Sequence, residues 1–171
     1  MSQPQHVIVT GAAGALGRAV VEHFLNQGAH VHALDISDEL LAAALAGADP
    51  GRVQGYAVDL TSRPDCMRCV GSIRENAQRI DVLCNVAGGF MMGEGVAETS
   101  DETWDFLFNL NTKSVMHMAA AVVPLMRESG AGKIINVGAL AAGQGLGQMG
   151  AYIASKSATI RLTESLAAEL K

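Results

Sequence analysis

Residues 6–17 read HVIVTGAAGALG, a short apolar run followed by a glycine-rich turn, and this stretch decides the fold. His6 to Thr10 predict a buried strand, and a helix is predicted from Leu16 to Gln27. Glycines let the backbone turn tightly and approach a ligand without a Cβ in the way. The start of the helix then offers unpaired N–H groups and a positive dipole end to phosphates. The turn therefore indicates a dinucleotide site, although glycine runs alone are common in a chain with 19 glycines.

An acid closes the second predicted strand. This strand covers His30 to Leu34, and Asp35 follows it at about 20 residues from the glycines, the usual spacing in dinucleotide sites. An acid there accepts both ribose hydroxyls of the adenosine and repels a 2′-phosphate, and Ile36 beside it supplies no cation for such a phosphate. We therefore expect NAD(H) in preference to NADP(H). The alternative is an ordinary acid at a helix N-terminus.

The rest of the chain alternates strands and helices. Further strands are predicted at 52–58, 81–85 and 133–137, and helices at 38–46, 64–78, 100–128 and 152–170, with Ser37 and Ser100 as caps. Strands separated by helices predict a parallel, doubly wound α/β sheet with helices on both faces. A chain of 171 residues, 49% of them hydrophobic, is long enough to form one domain over 1–171.

Composition excludes several classes of partner. The net charge of -5 provides no basic field, so we expect no nucleic acid and no anionic membrane surface as a partner. No apolar run is long enough to span a bilayer and the N-terminus does not resemble a signal peptide, which favours a cytoplasmic protein. The chain has one Cys-x-x-Cys pair, Cys66 and Cys69, and a single further cysteine, Cys84. Because a zinc site would need a second such pair or a nearby histidine, we expect no bound metal.

A second chemical signal lies near the end of the chain, in the sequence YIASK at 152–156. Residues four apart share a helix face, so the phenol of Tyr152 and the ammonium of Lys156 can meet. A phenol has a pKa near ~10 and is a poor acid–base catalyst at neutral pH. A nearby cation stabilises the phenolate and lowers that pKa. The pair suits proton transfer, although a solvated helix face would explain it equally well in isolation.

Together, the turn Thr-Gly-x-x-Gly-x-x-Gly at 10–17 and the Tyr-x-x-x-Lys pair resemble the short-chain dehydrogenase/reductase family, over essentially the whole chain. Further landmarks of the family fall in the right order. Asp59-Leu60 ends the third strand, Asn85-Val86-Ala87-Gly88 ends the fourth, and Asn111 lies within the long helix, where the family has a helix-kinking Asn. The resemblance implies a Rossmann fold, an NAD cofactor and a small-molecule alcohol or carbonyl substrate.

The resemblance also implies a role for each site residue. Tyr152 would be the general acid/base, Lys156 would hold the nicotinamide ribose and lower the pKa of Tyr152, and Asn111 would help to hold a water of the proton relay. The residues implied to bind the cofactor are Gly11, Ala13, Gly14, Leu16, Gly17, Asp35, Ile36, Asp59, Leu60, Asn85, Ala87 and Gly88, together with Tyr152 and Lys156.

Two departures from the family bear on catalysis. The position of the family's catalytic serine falls on Ala139, and no Ser or Thr occurs from Gly130 to Ile153. Either Gln144 or Gln148 could donate the missing hydrogen bond. The family also continues beyond the helix that ends this sequence, with a sixth strand, a Pro-Gly turn, a substrate-covering loop and a seventh strand. We therefore expect the front two-thirds of a dehydrogenase, with one sheet edge open.

Two function classes remain open from the sequence. One is an NAD-dependent oxidoreductase with Ala139 as a variant position. The other is a catalytically impaired dinucleotide-binding module with a regulatory or assembly role. In either case we expect a homodimer or homotetramer, because the alanines at 119–121 and 167–168 would allow helices of two subunits to pack closely. The alternative is that these alanines face the protein's own sheet.

Overall fold

The computed structural model describes residues 4–171, which form a five-stranded parallel sheet in the order β3-β2-β1-β4-β5. The strands are β1 (His6–Thr10), β2 (His30–Asp35), β3 (Val53–Ala57), β4 (Val82–Asn85) and β5 (Lys133–Asn136). The helices are α1 (Ala15–Asn26), α2 (Asp38–Ala44), α3 (Arg63–Asn76), α4 (Asp101–Phe108), α5 (Ser114–Ser129) and α6 (Gly150–Glu169). The predicted α/β fold class is confirmed.

Helices cover both faces of the sheet, and the alternation of β1 shows this directly. Val7 and Val9 pack in a cluster with residues of α1 and α2, whereas Ile8 between them packs in a second cluster with residues of α3 and α5. All three side chains are fully buried. Because β1 is central, the order of the strands reverses beside it, and a crevice forms at the carboxyl ends of β1 and β4. The glycine-rich turn lies at this crevice.

The helix boundaries lie close to those predicted from the sequence, with two differences: the long helix 100–128 is divided, and the last helix begins earlier. Ser37 and Ser100 accept hydrogen bonds from the backbone N–H groups of Leu40 and Thr103, as expected of caps. The predicted helix 100–128 is divided by a wide π-helical turn, Asn109–Lys113. The last helix begins at Gly150, two residues before Tyr152, so both Tyr152 and Lys156 lie within its first two turns.

The edge of the sheet at β5 is uncovered among residues 4–171. β5 pairs with β4 alone, and the side chains of Lys133 and Ile135 are exposed. A groove of about 470 Å³ runs along this edge between α5 and α6. This is the open edge that the sequence led us to expect. The same described residues contain no helix that is long and apolar enough to cross a membrane, and no cluster of three or more metal-ligating side chains.

The three cysteines are free thiols. Burial raises the pKa of Cys66 and of Cys84 to about 11, and that of Cys69 to about 12. Because the thiolate is the reactive form, these side chains are inert at neutral pH. Cys66 and Cys84 act as small apolar residues of the core, and Cys69 packs against it.

Three histidines stack at the amino ends of β1 and β2. The ring of His6 stacks on those of His30 and His32, and His6 Nδ1 lies 3.2 Å from His32 Nε2. His32 is buried, and its Nδ1 lies 3.4 Å from the hydroxyl of Tyr56. The nearest charged groups are Asp81, which accepts a hydrogen bond from the His6 N–H, and Arg79, which pairs with Asp81. Burial, and then the charges of the two other histidines, lower the pKa of His32 from 6.5 to about 4.

We expect this stack to make the fold sensitive to acid. The pKa of His32 is 6.5 in the unfolded chain and about 4 in the folded protein, so between these values the native state binds fewer protons than the unfolded state. The contribution of neutral His32 to the free energy of unfolding is therefore complete above pH 6.5 and is lost as the pH falls toward 4. By pH 5 the loss is about 2 kcal/mol of unfolding free energy. Urea unfolding at pH 7 and pH 5 measures it. His32→Gln should flatten the pH dependence, whereas His23→Gln, at an exposed histidine of α1, should leave it unchanged. Equal pH dependence in all three proteins would contradict the prediction.

Candidate functional site

The glycine-rich turn fits closely against its neighbours. Gly11 has a left-handed φ of 64°, and a Cβ added to it would lie 2.7 Å from Ala87 Cα. A Cβ on Gly17 would lie only 2.0 Å from Gly11 O. Gly14 precedes α1 in an extended conformation and has no side chain to cap the helix. The first-turn N–H groups therefore remain available to a ligand, and the turn has the shape that a pyrophosphate requires.

Thr10 ties this turn to the loop after β4. Its buried Oγ1 accepts hydrogen bonds from the N–H groups of Val86 at 3.1 Å and Ala87 at 3.2 Å. The sequence reading did not assign Thr10 to the site, although it stands directly before Gly11. It holds together the two loops that form the crevice, and no periodicity in the sequence reveals such a contact.

Asp35 lies beside the same turn. Its Oδ2 accepts a hydrogen bond from the Ala13 N–H at 2.9 Å, and its Oδ1 accepts one from the Ile36 N–H at 2.8 Å. The carboxylate is therefore held at the carboxyl end of β2, at the mouth of the crevice. The side chain of Ile36 is 63% exposed next to it and brings no positive charge.

The crevice is an open cavity of about 840 Å³. This volume is in the range expected for a cofactor site. It is also lined by residues that the sequence reading did not select, including Thr61, Val86, Phe106 and Leu110. The selected residues that line it are Gly11, Ala13, Gly14, Leu16, Gly17, Asp35, Ile36, Asp59, Leu60, Ala87 and Gly88.

Asn85 lies outside this lining. Its buried side chain donates a hydrogen bond from Nδ2 to Asn136 Oδ1 at 2.8 Å, and Asn136 in turn donates to Thr163 Oγ1 at 2.9 Å. The residue thus joins β4 to β5 and, through Thr163, to α6. A side chain at the end of a parallel strand can point along the sheet rather than into the crevice, and the sequence does not distinguish these cases.

Lys156, the second residue of the Tyr152–Lys156 pair, lies next to the cavity. Its ammonium is 5% exposed, and Nζ donates a hydrogen bond to Val137 O at 2.8 Å. A Cβ added to Gly88, which lines the cavity, would lie 3.2 Å from this Nζ. Burial lowers the pKa of Lys156. Within residues 4–171 no carboxylate pairs with Lys156.

Tyr152 is half-buried one helical turn before Lys156. The ring of Phe90 packs against its ring edge to face, with the centroids 4.9 Å apart. The main-chain carbonyl of Tyr152 accepts a hydrogen bond from Ser155 Oγ at 2.8 Å. The first turn of α6 therefore has a defined position, with an aromatic neighbour beside the phenol.

Asn111 lies in the wide π-helical turn, at the place where the resemblance led us to expect a distorted helix. Its Oδ1 accepts a hydrogen bond from the Gly89 N–H at 2.8 Å, and its Nδ2 donates to Gly89 O and to Ser155 Oγ. Its carbonyl accepts a hydrogen bond from Thr159 Oγ1 at 2.9 Å. Asn111 thus holds the loop after β4 against α6, and its part in a water relay remains a prediction.

Ala139, the position that the resemblance assigns to the family's catalytic serine, follows β5. It is half-buried and extended, and a short 3₁₀ turn, Leu140–Gly143, begins after it. The methyl group of Ala139 donates no hydrogen bond. The side chains of Gln144 and Gln148 are both exposed in the following loop. Gln148 has a positive φ of 61°, which is uncommon for a residue with a side chain.

Comparison with known proteins identifies the family. The profile described as short chain dehydrogenase matches residues 5–171. The chain is 35% identical to an NAD-dependent glycerol dehydrogenase of Listeria innocua over 95% of its own length and 63% of that relative. The structure superposes with a TM-score of 0.92 on NAD⁺-bound xylitol dehydrogenase, at 29% identity, covering 97% of this chain and 65% of the other. A metagenomic short-chain oxidoreductase in complex with NADP gives a TM-score of 0.91 at 30% identity, covering 97% and 76%.

The chain spans 63% of the length of the glycerol dehydrogenase, 65% of the xylitol dehydrogenase and 76% of the NADP-bound oxidoreductase. The profile match extends over both the glycine-rich turn and the Tyr152–Lys156 pair. The chain belongs to the short-chain dehydrogenase family.

Proposed function

We propose that this chain forms the dinucleotide-binding and proton-transferring part of an NAD(H)-dependent oxidoreductase that interconverts an alcohol and a carbonyl group. The observation that carries the proposal is the position of Gly88. This residue lines the cavity, and a Cβ added to it would meet Lys156 Nζ at 3.2 Å. The cavity therefore reaches the ammonium of Lys156, as it must if proton transfer occurs beside a bound cofactor.

The residues of the cavity fit a dinucleotide. The glycine-rich turn and the N-terminus of α1 would hold the pyrophosphate, Asp35 would bind the adenosine ribose, and Lys156 would hold the nicotinamide ribose. The nicotinamide, when bound, supplies the hydride chemistry.

The proton is handled by the chain's own side chains. In the oxidation direction, Tyr152 as phenolate takes the hydroxyl proton of the alcohol while the carbinol carbon loses hydride and becomes a carbonyl carbon. In the reduction direction, the phenol of Tyr152 returns the proton to the oxygen. Lys156 follows one helical turn later on the same face of α6.

Asp35 supports NAD(H) rather than NADP(H). The named structural relatives include both an NAD⁺ and an NADP complex, so the choice for this chain rests on its own residues. The carboxylate stands at the cavity mouth beside Ile36, where a 2′-phosphate would meet a negative charge and no cation.

We expect Asp35→Ala to lower the affinity for NADH by about tenfold, because a hydrogen bond to a charged group contributes roughly 1.5 kcal/mol or more. The gap between NADH and NADPH should narrow in the same variant. A fluorescence titration with each nucleotide measures both effects. Asp38→Ala, at an exposed acid of α2 outside the cavity lining, is the matched control. If NADPH binds the unchanged protein as tightly as NADH does, the assignment of NAD is wrong.

The second candidate is a dinucleotide-binding module without turnover, and Ala139 is the observation that favours it. A chain that binds NADH through an intact glycine turn but lacks the serine hydroxyl could act in regulation or assembly. The two candidates agree on NADH binding and differ in turnover, so an assay of a panel of small alcohols and ketones with NAD(H) separates them.

Assembly into a homodimer or homotetramer is also proposed. Ala119 and Ala121 are buried, with Ala121 in the protein's own core, so for these two residues the alternative interpretation holds. The outer surface of α5 instead carries exposed Met116 and half-buried Ala120, and α6 carries exposed alanines at 167 and 168. We expect light scattering to show at least a dimer at micromolar concentration. A stable monomer would contradict the proposal.

A further inference from the structure

Two uncharged loops border the start of α6. The loop after β4 (residues 86–93) and the loop after β5 (residues 137–149) contain no Asp, Glu, Lys, Arg or His. Their only polar side chains are the exposed amides of Gln144 and Gln148. The two loops are joined, because the N–H of Gly93 donates a hydrogen bond to Gln148 O at 2.9 Å. They form one surface, and Phe90 in the loop after β4 contacts the ring of Tyr152.

Apolar side chains dominate this surface. The ring of Phe90 meets that of Tyr152 at an interplanar angle of 85°, and 55% of Phe90 remains exposed. In the other loop Leu140 is 99% exposed, and it directly follows Ala139. Ala139 itself presents a methyl group where the family has a hydroxyl. An exposed apolar surface beside a reactive group indicates a binding site rather than packing.

We propose that the substrate of this site is an uncharged, largely apolar alcohol or ketone that packs on Phe90, and not a polyol or a hydroxy acid. The inference rests on the proposed function, because it assigns the substrate class of the same Tyr152 site. It departs from the polyols for which two of the relatives reported above are named.

Physical chemistry favours this class of substrate. Each additional hydroxyl of a polyol would lose its water on binding and would find few side-chain partners on these loops. A carboxylate would need a cation, and the nearby Lys156 is buried with its Nζ hydrogen-bonded to Val137 O. An alkyl or ring carbon, by contrast, gains from contact with an exposed aromatic face.

The test compares substrates with one five-carbon skeleton. Pentan-2-ol, xylitol and 4-hydroxypentanoate are assayed with NAD⁺ in the full natural protein. We expect kcat/KM for pentan-2-ol to exceed the values for the other two by at least about tenfold. A site discriminates by factors of this size or more against a substrate whose polar groups it would bury without hydrogen-bond partners. Xylitol or the hydroxy acid used as well as pentan-2-ol would overturn the inference.

Variants assign the preference to Phe90. Phe90→Asn should lower kcat/KM for pentan-2-ol and reduce the ratio of this value to kcat/KM for xylitol. Phe90→Leu should keep most of this ratio. Met67→Asn, at an exposed apolar residue of α3, should leave the ratio unchanged. NADH affinity should be equal in all of these proteins, because Phe90 does not line the cavity. An unchanged ratio in Phe90→Asn would overturn the role of Phe90.

If the protein shows no turnover, a measurement of ligand binding still tests the substrate class. Saturation-transfer NMR on the NADH-loaded protein compares pentan-2-one with xylulose. A signal from pentan-2-one alone supports the substrate class while rejecting the proposed catalysis. A signal from xylulose, or from neither compound, overturns the inference. Failure of NADH to bind would instead reject the proposed function.

Discussion

Tyr152→Phe should lower kcat by about 10³-fold while leaving NADH affinity unchanged, because a positioned general acid/base contributes roughly 10²–10⁴-fold to a rate. The variant keeps the ring and its edge-to-face contact with Phe90 and removes only the hydroxyl. The Ser155 Oγ bond to the main-chain carbonyl of residue 152 is also retained. The loss should therefore report proton transfer and not a displaced helix.

Tyr56 provides the matched control for this experiment, since the chain has two tyrosines. Tyr56 lies on β3, outside the cavity lining, and its hydroxyl is 3.4 Å from Nδ1 of His32 on β2. Tyr56→Phe should keep most of the activity. Steady-state kinetics with the best alcohol of the panel, together with an NADH titration of each variant, provides the comparison. A Tyr152→Phe protein that retains more than about a tenth of the activity would remove Tyr152 from the proton-transfer step.

Ala139→Ser should raise turnover by about a hundredfold in the full natural protein. One good donor to the developing oxyanion is worth about 3 kcal/mol in the transition state. Ala139 is extended and half-buried directly after β5, so a serine fits there without a left-handed backbone. The measurement is kcat with the same alcohol and NAD⁺.

Three companion variants help to interpret the result. Tyr152→Phe in the Ala139→Ser background should abolish the gain, because the donor and the proton source act as a unit. Ala141→Ser, in the adjacent 3₁₀ turn, introduces a hydroxyl at a neighbouring position and should produce no comparable gain. If Gln144 already supplies the donor, Gln144→Ala should abolish the existing activity and Ala139→Ser should add little. A serine variant that binds NADH but turns over nothing would favour the binding-module alternative.

The order of strands and helices could be predicted from the sequence because the signals are local. Apolar runs, serine caps and the glycines of residues 11–17 each act on a few consecutive residues, and parallel strands joined by helices leave few arrangements open. The glycine turn and Asp35 were found for the same reason. Each follows a strand, and the carboxyl ends of parallel strands share one edge of the sheet.

The contacts that complete the site depend on packing between segments distant in the sequence. Lys156 Nζ reaches Val137 O, Asn111 bridges Gly89 and Ser155, and Asn85 turns toward Asn136 and away from the cavity. No local pattern specifies these partners, because they follow from how α6 and the π-helical turn settle against the ends of β4 and β5. The His6–His32 contact is of the same kind, since it arises only when β1 and β2 pair in register. Local periodicity thus sets which elements form, whereas tertiary packing decides which side chains meet.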